Sequence, residues 1–387
     1  MAQHAYHISK FLGRQHDVAV LLPSAMDVSK YGDEGFRLVP LLSMKHPRLD
    51  AWRAARFAKK FRPDVIHVCT AGMAYETLLD KYPVVVRVVG NDFLRPWVGR
   101  GLPLRSIVYR LVWGKVKGWF QNIETGLRKS KVIRQLKRAD SVVANSDWTQ
   151  HRLEEEGVGI ESIELVVGGM NCELFCPPSD KIAVRESLGI APQDFVLMTA
   201  GNLIGKKGFD TVMRAVAHLK MQGETRLRYI VLGDGPEEVA LRQLAKALRI
   251  DGEVKFGGRI AQGVLATYYQ AGDLYIQISR DHCLPTGSVD VETMGRTYFE
   301  AGGCGIPVIG ARVGGVPSVI DHGCNGLLVD DPENVEEVAE KICCLMHNTD
   351  LRNQMGAEGV RLANEKFSWN HVGTEFERIM SEQITVH

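Results

Sequence analysis

Two glutamates, Glu292 and Glu300, stand eight positions apart in the segment 291–320, on either side of a glycine. If the segment were one helix, eight residues would rise roughly 12 Å and separate the two carboxylates by about 80° around the axis. Two carboxylates that act on one bond lie only about 5 Å apart. The spacing therefore favours carboxylates that bind separate parts of one long, hydroxyl-rich ligand, and a nucleotide sugar has that shape.

A glycine turn lies between the two glutamates. Gly295, Arg296 and Thr297 form the predicted turn, and a helix is predicted to start near Tyr298. The first amides of a helix have no intrahelical acceptor and lie at the positive end of its dipole, so they suit a diphosphate. Glycines also bound the apolar run 306–309, which predicts helix, buried strand and loop in succession. The alternative is an ordinary crossover between strands whose glutamates are solvated.

A second candidate site is the sequence Gly-Asn-Leu-Ile-Gly-Lys-Lys-Gly at residues 201–208, directly after a predicted strand. Lys207 is the predicted diphosphate ligand, because an ammonium beside a leaving diphosphate offsets the charge that develops as a glycosidic bond breaks. Plain solvation of Lys206 and Lys207 is the alternative.

The elements that must position these residues form two successive α/β halves. Short apolar runs alternate with helical stretches, as is typical of parallel sheets covered on both faces. The predicted strands are 17–22, 65–69, 84–89 and 141–144 in the first half, and 195–199, 229–232, 253–256, 274–278 and 307–309 in the second. Ligands of such sheets collect at the carboxyl ends of the strands. Two prolines at 177 and 178 predict a linker between the halves.

The order of several motifs resembles glycosyltransferase family 4. The matching stretches are 64–68 (DVIHV), 140–146 (DSVVANS), 201–210, 231–235, 292–320 and 367–369 (FSW). Within the family, the chain resembles the phosphatidylinositol mannosyltransferase type, whose members use GDP-mannose. The resemblance implies the GT-B fold, in which two Rossmann-like, doubly wound domains face a central cleft. Residues 1–176 would bind the acceptor, residues 177–366 would bind the nucleotide sugar, and a helix in 367–387 would cross back to the first domain.

The resemblance also implies roles for individual residues. Glu292 would bind the transferred sugar and, with Lys207, act in catalysis, while Glu300 would bind the ribose hydroxyls. The nucleobase would pack near residues 257–260. The implied donor-binding residues are Asn202, Lys206, Lys207, Gly258, Arg259, Ile260, Glu292, Gly295, Arg296, Thr297 and Glu300.

Asn202 departs from the family pattern, because members commonly place an arginine at this position. Either Lys206 or Arg296 supplies the missing positive charge, or turnover is slower than the family norm. The implied reaction is a retaining transfer that needs no cofactor and no obligatory metal. In it, the departing phosphate takes the acceptor's proton on the same face of the sugar.

On the acceptor side, His4 lies at a position familiar from the family, and Asp92 follows a predicted strand, where it could orient an acceptor hydroxyl. A helix cap is the alternative role for Asp92. The histidine that relatives carry in this region falls on Val89. Relatives open with a strand and a Gly-Gly loop before the helix that matches residues 3–12. Their absence here predicts a late start site or a truncated chain.

Positive charge is concentrated in residues 95–138, which contain twelve Lys and Arg residues and one acid, whereas the whole chain has a net charge of +1. Interleaved aromatic residues give this segment the composition of a lipid interface. The predicted membrane-facing residues are Arg105, Arg110, Trp113, Lys115, Lys117 and Trp119. The composition predicts an anionic membrane surface as a partner and a lipid-linked acceptor. A solvated basic helix pair is the alternative, and nucleic-acid binding is disfavoured because no recognised module accompanies the charge.

The composition fits an ordinary globular protein. The 387 residues are 45% hydrophobic and 24% charged, enough for two cores. No apolar run approaches the roughly 20 residues of a transmembrane helix, and the eight cysteines are scattered, so a cytoplasmic or peripheral protein with reduced thiols is expected. Cys172 and Cys176 lack the second close pair of a zinc site, and no metal is predicted.

Together these features predict an enzyme that moves a hexose from GDP-mannose or a UDP-sugar to a lipid-linked or glycan acceptor, with retention of configuration. Two alternatives stay open. One is an inactive protein that binds a nucleotide sugar or a glycan, which Asn202 and the absent opening strand favour. The other is a nucleotide-sugar epimerase, which the Glu292–Ile320 motif disfavours.

Overall fold

The computed structural model describes residues 2–28, 34–94, 126–283 and 289–386. These residues form two compact units. Unit 1 contains the described residues up to 166 together with residues 369–386, and unit 2 contains residues 167–283 and 289–368.

Unit 1 is built on parallel strands. Its helices and strands are α1 (Ala2–Leu12), β1 (Ala19–Pro23), β2 (Arg37–Leu42), α2 (Pro47–Phe61), β3 (Ile66–Val68), α3 (Glu76–Leu79), β4 (Val84–Val88), α4 (Asn91–Leu94), α5 (126–136), β5 (Ser141–Ala144), α6 (Asp147–Glu155) and β6 (Ile163–Leu165). Strands β3 to β6 form a parallel sheet in sequence order, and β1 pairs with β2. Every residue of β4 is buried, as expected for a strand covered on both faces.

Unit 2 has the strand order of a dinucleotide-binding domain. Its elements are α7 (Lys181–Ser187), β7 (Phe195–Ala200), α8 (Phe209–Met221), β8 (Leu227–Leu232), α9 (Glu238–Ala247), β9 (Val254–Gly258), α10 (Gln262–Ala271), β10 (Leu274–Gln277), β11 (His282–Cys283), β12 (Val289–Asp290), α11 (Arg296–Gly303), β13 (Val308–Ala311), β14 (Gly326–Val329), α12 (Val335–His347) and α13 (Thr349–Glu365). Six parallel strands lie in the order β14-β13-β10-β7-β8-β9. The strand order reverses between β7 and β10, where doubly wound sheets bind their ligands.

The two faces of this sheet are covered by different helices. Side chains alternate along a strand, so Leu197 of β7 faces the cluster that contains Val212 of α8, while Met198 faces the cluster that contains Tyr269 of α10. Both faces are apolar because helices bury both.

The last helix, α14 (Trp369–Val386), belongs to unit 1, where Val372 and Phe376 pack with Ile8 and Val85. The units divide between residues 166 and 167, ten positions before the predicted proline linker. The reason is packing, because the intervening segment contributes Phe175 to a core of unit 2. The expected strand before residue 1 stays a prediction.

Candidate functional site

The charged residues predicted in unit 2 lie where the strand order reverses. Residues 201–208, called here the lysine loop, follow β7, and β10 ends at Gln277 on the other side of the reversal. Helix α11 begins at Arg296, two residues before the predicted start. Loop and helix therefore meet at the carboxyl edge of the sheet.

Lys207 and Glu292 contact each other directly. The Lys207 Nζ donates to Glu292 Oε2, and Gln277 Nε2 lies 3.4 Å from the same oxygen. The two side chains retain 16% and 12% exposure. The two residues predicted to act in catalysis thus form an ion pair that solvent reaches, and a ligand that enters can exchange with it.

Gly314 and Gly315, which follow β13, position Glu292. The Gly315 N–H donates to the Glu292 carbonyl over 2.8 Å. Gly314 has a φ of 52°, and a Cβ there would lie 2.2 Å from the same carbonyl oxygen. No other residue type fits this close approach without a backbone shift. The glycines that the sequence marks as a loop therefore fix the backbone that carries the first glutamate.

Glu300 lies inside α11 and is only 5% exposed. Arg296 donates from Nη2 to Glu300 Oε1 over 3.0 Å. Burial raises the pKa of Glu300 to about 7, and the neighbouring Arg296 opposes that shift. The two glutamates thus differ, because Glu292 sits outside the helix against a lysine, while Glu300 is buried and titrates near neutrality.

Lys206 has a different acidic partner. Its Nζ lies 3.0 Å from Asp290 Oδ1 and 3.4 Å from the Val291 carbonyl. Asp290 belongs to β12, which pairs antiparallel with β11. Each of the two cations considered as substitutes for an arginine at position 202 therefore already pairs with an acid, Lys206 with Asp290 and Arg296 with Glu300.

A pocket of about 230 Å³ lies at the carboxyl ends of β7, β8 and β9. Its lining residues are Ala200, Gly201, Asn202, Leu232, Gly233, Asp234, Arg259, Ile260 and Leu265. Asn202 is exposed at its rim. Gly258 ends β9, and its carbonyl accepts from Gly233 N–H over 2.7 Å. Of the predicted donor-binding residues, Asn202, Arg259 and Ile260 thus line this pocket. Lys207 and Glu292 form the ion pair described above, and Arg296 and Glu300 pair with each other on α11.

Three residues of this cluster were not predicted from the sequence. Gln277 contacts Glu292, Tyr275 donates to Thr297 Oγ1 over 2.7 Å, and Arg280 contacts the lysine loop. Tyr275 and Gln277 lie on β10, and Arg280 lies three residues after its end. Their position at the carboxyl end of a predicted strand was the available signal.

In unit 1, the predicted acceptor-side histidine faces the interior. His4 is 4% exposed, its Nε2 lies 3.3 Å from His67 Nε2, and its ring packs against Phe376 of α14. Desolvation lowers the pKa of His67 to about 4, and the nearby Arg87 adds to that shift. The hydrogen bond to the Val85 carbonyl opposes it. The two imidazoles therefore lie in a packed region where α1 and α14 meet.

Asp92 bridges two loops. Its Oδ2 accepts from Thr70 Oγ1 over 2.8 Å and from the Ala71 N–H over 3.0 Å, and its Oδ1 accepts from the Val89 N–H over 3.0 Å. Burial raises the pKa of this carboxyl, and these hydrogen bonds oppose the shift. Asp92 lies within α4 and is not the N-cap of that helix, but it accepts from the first amide of the 3-10 turn 71–73 and from the Val89 amide just before α4.

The remaining predictions concern metal binding and membranes. Within the described ranges, no group of three or more His, Cys, Asp or Glu side chains is arranged to hold a metal ion. The Cys172 and Cys176 thiols each contact a backbone carbonyl. The predicted membrane-facing residues between 105 and 119 lie outside the described residues. None of the described helices is both long and apolar enough to span a bilayer.

In comparison with known proteins, two family models together match nearly the whole chain. The family model "Glycosyl transferases group 1" matches residues 180–361, and the model "Glycosyltransferase Family 4" matches residues 1–174. A GDP-mannose-dependent monoacylated alpha-(1-6)-phosphatidylinositol monomannoside mannosyltransferase from Corynebacterium glutamicum is 27% identical over 301 residues, which are 74% of this chain and 76% of the relative. A D-inositol 3-phosphate glycosyltransferase from Kribbella flavida is 31% identical over 240 residues, 60% of this chain and 54% of the relative.

Solved structures share the fold. Anabaena HepE in complex with UDP superposes with a TM-score of 0.74 at 21% identity, over 99% of this chain and 96% of that one. WaaG, a glycosyltransferase involved in lipopolysaccharide biosynthesis, superposes with a TM-score of 0.67 at 16% identity, over 98% and 95% of the two chains.

Proposed function

We propose a specific reaction for this chain, which belongs to glycosyltransferase family 4 and has the GT-B fold. The enzyme transfers a hexose from a nucleotide-diphosphate sugar to a hydroxyl of a lipid-linked or glycan acceptor, and the anomeric configuration is retained. GDP-mannose is the first donor to test, because the Corynebacterium relative is named for it. A UDP-sugar is the second, because HepE was solved with UDP.

The observation that carries the proposal is the ion pair between Lys207 and Glu292 at the reversal of the sheet. Each side chain has a partner of the right chemistry in a nucleotide sugar, since the ammonium suits the diphosphate and the carboxylate suits sugar hydroxyls. When the donor binds, two charged contacts replace one. An ammonium fixed beside the diphosphate then stabilises the negative charge that grows on the leaving group.

The N-terminal turn of α11 supports the same donor position. The positive end of the helix dipole lies beside Glu292, because α11 begins four residues later at Arg296. Glu300, one turn further along the helix, would accept from the ribose hydroxyls when it is ionised. Charged hydrogen bonds of this kind contribute about 1.5–3 kcal/mol each.

Lys206 is the proposed second cation of the diphosphate site, in place of an arginine at position 202. It is adjacent to Lys207 in the lysine loop, and its side chain is 13% exposed in its contact with Asp290. Exchange of Asp290 for a phosphate oxygen would keep the ammonium paired. If Lys206 stays on Asp290 in the bound state, the site has one positive charge fewer and turnover is slower.

The proposed chemistry balances without a cofactor or a metal. The bond between the anomeric carbon and the β-phosphate oxygen breaks, and a new bond forms to the acceptor oxygen on the same face. The proton of the acceptor hydroxyl passes to the departing phosphate. The products are a glycoside and a nucleoside diphosphate.

The acceptor is proposed to be anionic or carried by an anionic lipid. The Corynebacterium relative is named for a phosphatidylinositol mannoside, and unit 1 presents a basic helix surface. On α2, the exposed residues are Pro47, Arg48, Leu49, Trp52, Arg56, Lys59 and Lys60. Trp52 is 55% exposed with the Arg56 guanidinium 5.4 Å from its ring. Each cation near an anionic surface contributes about 1 kcal/mol to attraction.

Two experiments test the proposal. Purified protein incubated with GDP-mannose or UDP-sugars should release the nucleoside diphosphate, faster with acceptor present. In a thermal-shift screen, a donor at about one hundred times its dissociation constant should add about 2.7 kcal/mol of stability. Binding with neither transfer nor hydrolysis would favour a binding protein, and interconversion of the donor sugar would favour an epimerase. Flotation with anionic liposomes, and none with neutral liposomes, is expected for the surface of α2.

A further inference from the structure

The segment that follows β10 holds the lysine loop by its backbone. The Arg280 N–H donates to the Lys206 carbonyl over 2.8 Å, and Arg280 Nε donates to the Gly205 carbonyl over 3.0 Å. Its Nη2 donates to Asp210 Oδ1 over 2.7 Å. One arginine therefore joins the turn before the two lysines to the first turn of α8, where Asp210 lies.

The loop also lies directly against this segment. Gly208 has a φ of 68°, and a Cβ at that residue would lie 1.8 Å from the Ile278 carbonyl oxygen. The backbone just after Lys207 thus touches the backbone just before Arg280. The position of the loop is set by the residues that follow β10, and not by β7 alone.

We infer that Arg280 is a positioning residue that fixes Lys206 and Lys207 against the diphosphate, although it makes no contact with the substrate itself. The role needs the planar fork of a guanidinium, because two N–H groups must donate at once to a carbonyl and to a carboxylate. A lysine at this position could reach only one of the two acceptors. The inference rests on the proposed function, since it assumes that the lysines bind a diphosphate.

Arg280 also explains how two adjacent lysines point to different acids. With the carbonyls of Gly205 and Lys206 held, the turn from Gly205 to Lys207 has one orientation. In that orientation Lys206 reaches Asp290 and Lys207 reaches Glu292. Release of the carbonyls would let either ammonium move away from the position that the phosphates require.

The test compares Arg280→Ala and Arg280→Lys with Arg312→Ala. Arg312 is a matched control, because it also donates to a single aspartate in unit 2 but lies on the exposed surface. Two quantities are measured on the full chain. The first is amide hydrogen exchange in residues 203–208, and the second is the ratio of GDP to GMP affinity, with UDP and UMP in parallel.

In Arg280→Ala, loop exchange should become at least about tenfold faster while exchange in β13 stays unchanged. The preference for GDP over GMP should fall by about tenfold, with GMP affinity retained. Arg280→Lys should recover part of the preference, and Arg312→Ala should match wild type.

Three results would overturn the inference. Unchanged loop exchange would show that Arg280 does not hold the loop. Faster exchange with a retained GDP preference would show that the contact is structural only. If the wild type binds GDP and GMP equally well, and UDP and UMP equally well, the proposed function is overturned, and the role of Arg280 with it. This result is seen in the wild type, whereas the other two are seen in the Arg280 variants, so the two kinds of failure can be distinguished.

Discussion

Unit 2 and unit 1 use their predicted functional residues in different ways. In unit 2, Lys207 and Glu292 meet as two side chains at the open end of the sheet. In unit 1, the Asp92 carboxylate accepts two backbone amides and a hydroxyl, and His4 is packed against another imidazole. A pair of side chains can exchange its contacts for those of a ligand. A carboxylate that holds backbone amides cannot do so without leaving buried donors unpaired.

One titratable group of each unit, Glu300 in unit 2 and His67 in unit 1, has a pKa that desolvation shifts, and the two shifts run in opposite directions. The pKa of Glu300 is raised to about 7, and the pKa of His67 is lowered to about 4. Both shifts arise first from desolvation, which disfavours the charged form. His67 stays neutral at physiological pH, so its burial lowers the stability of unit 1 little. Glu300 is held near its titration point, a cost in stability that is typical of a functional position.

The largest expected effect is on Lys207. Lys207→Ala removes the ammonium from the leaving group, so kcat/KM for donor transfer should fall by about 10²–10³-fold. Lys246→Ala removes an exposed lysine of α9 in the same unit and should leave kcat/KM unchanged. If kcat/KM of Lys207→Ala stays within about threefold of the wild-type value, the proposed difference between the two units is wrong.

The next effect concerns His67 and unit 1. Because its pKa is lowered in the folded state, its contribution to stability is complete above the ordinary pKa of 6.5 and is lost as the pH falls toward about 4. The free energy of unfolding should drop by about 2–3 kcal/mol across that window through this group. Urea denaturation near pH 7 and near pH 4.5 should show a smaller drop in His67→Gln than in wild type. An equal drop in stability in both proteins would show that His67 is not the group responsible for this pH dependence.

The pH dependence of stability that arises from Glu300 should have the opposite sign to that from His67. Its folded pKa of about 7 lies above the ordinary value of 4.5, so its ionisation destabilises the folded state progressively between those values and fully above pH 7. Relative to wild type, Glu300→Gln should gain about 2 kcal/mol of stability as the pH rises through this window.

Donor affinity should depend on the ionisation of Glu300 in the opposite direction to stability. Because the ionised carboxylate is the better acceptor of ribose hydroxyls, wild-type donor affinity should rise as the pH passes 7, and the affinity of Glu300→Gln should not. Calorimetric titrations on both sides of pH 7 measure this difference. If donor affinity depends on pH in the same way in wild type and in Glu300→Gln, Glu300 does not bind the donor.

The smallest effect on activity is expected at Asp92. Asp92→Asn should lower the free energy of unfolding by about 1–3 kcal/mol, because buried amides lose an acceptor. Its kcat/KM should stay within about threefold of wild type. Asp80→Asn, which alters an exposed partner of Arg138, is the control for loss of a carboxylate in unit 1. A large loss of kcat with unchanged stability would show that Asp92 acts on the acceptor.

Much of unit 2 was predictable because its signals are local. The apolar runs of β7 and β8 each end at a glycine, and the lysine loop directly follows β7, so these strands and the loop were found within two residues of their bounds. The predicted GT-B fold is confirmed. Strand β14 was not predicted, although its apolar run has four residues, as many as β10 and β13.

The contacts that complete the site were not predictable because they join distant residues. Arg280 meets Asp210 across 70 positions and Lys206 meets Asp290 across 84, and no periodicity marks either pair. The burial of His4 depends on α14, which lies at the other end of the chain. In each case the residue type was visible in the sequence, and its partner was set by tertiary packing.

The most direct test is a crystal structure of the protein with an intact nucleotide sugar. The diphosphate should lie within hydrogen-bond distance of Lys207 Nζ, with the sugar hydroxyls on Glu292, the ribose on Glu300 and the base in the pocket beside Asn202. A nucleotide sugar bound elsewhere, with Lys207 still paired to Glu292, would contradict the account.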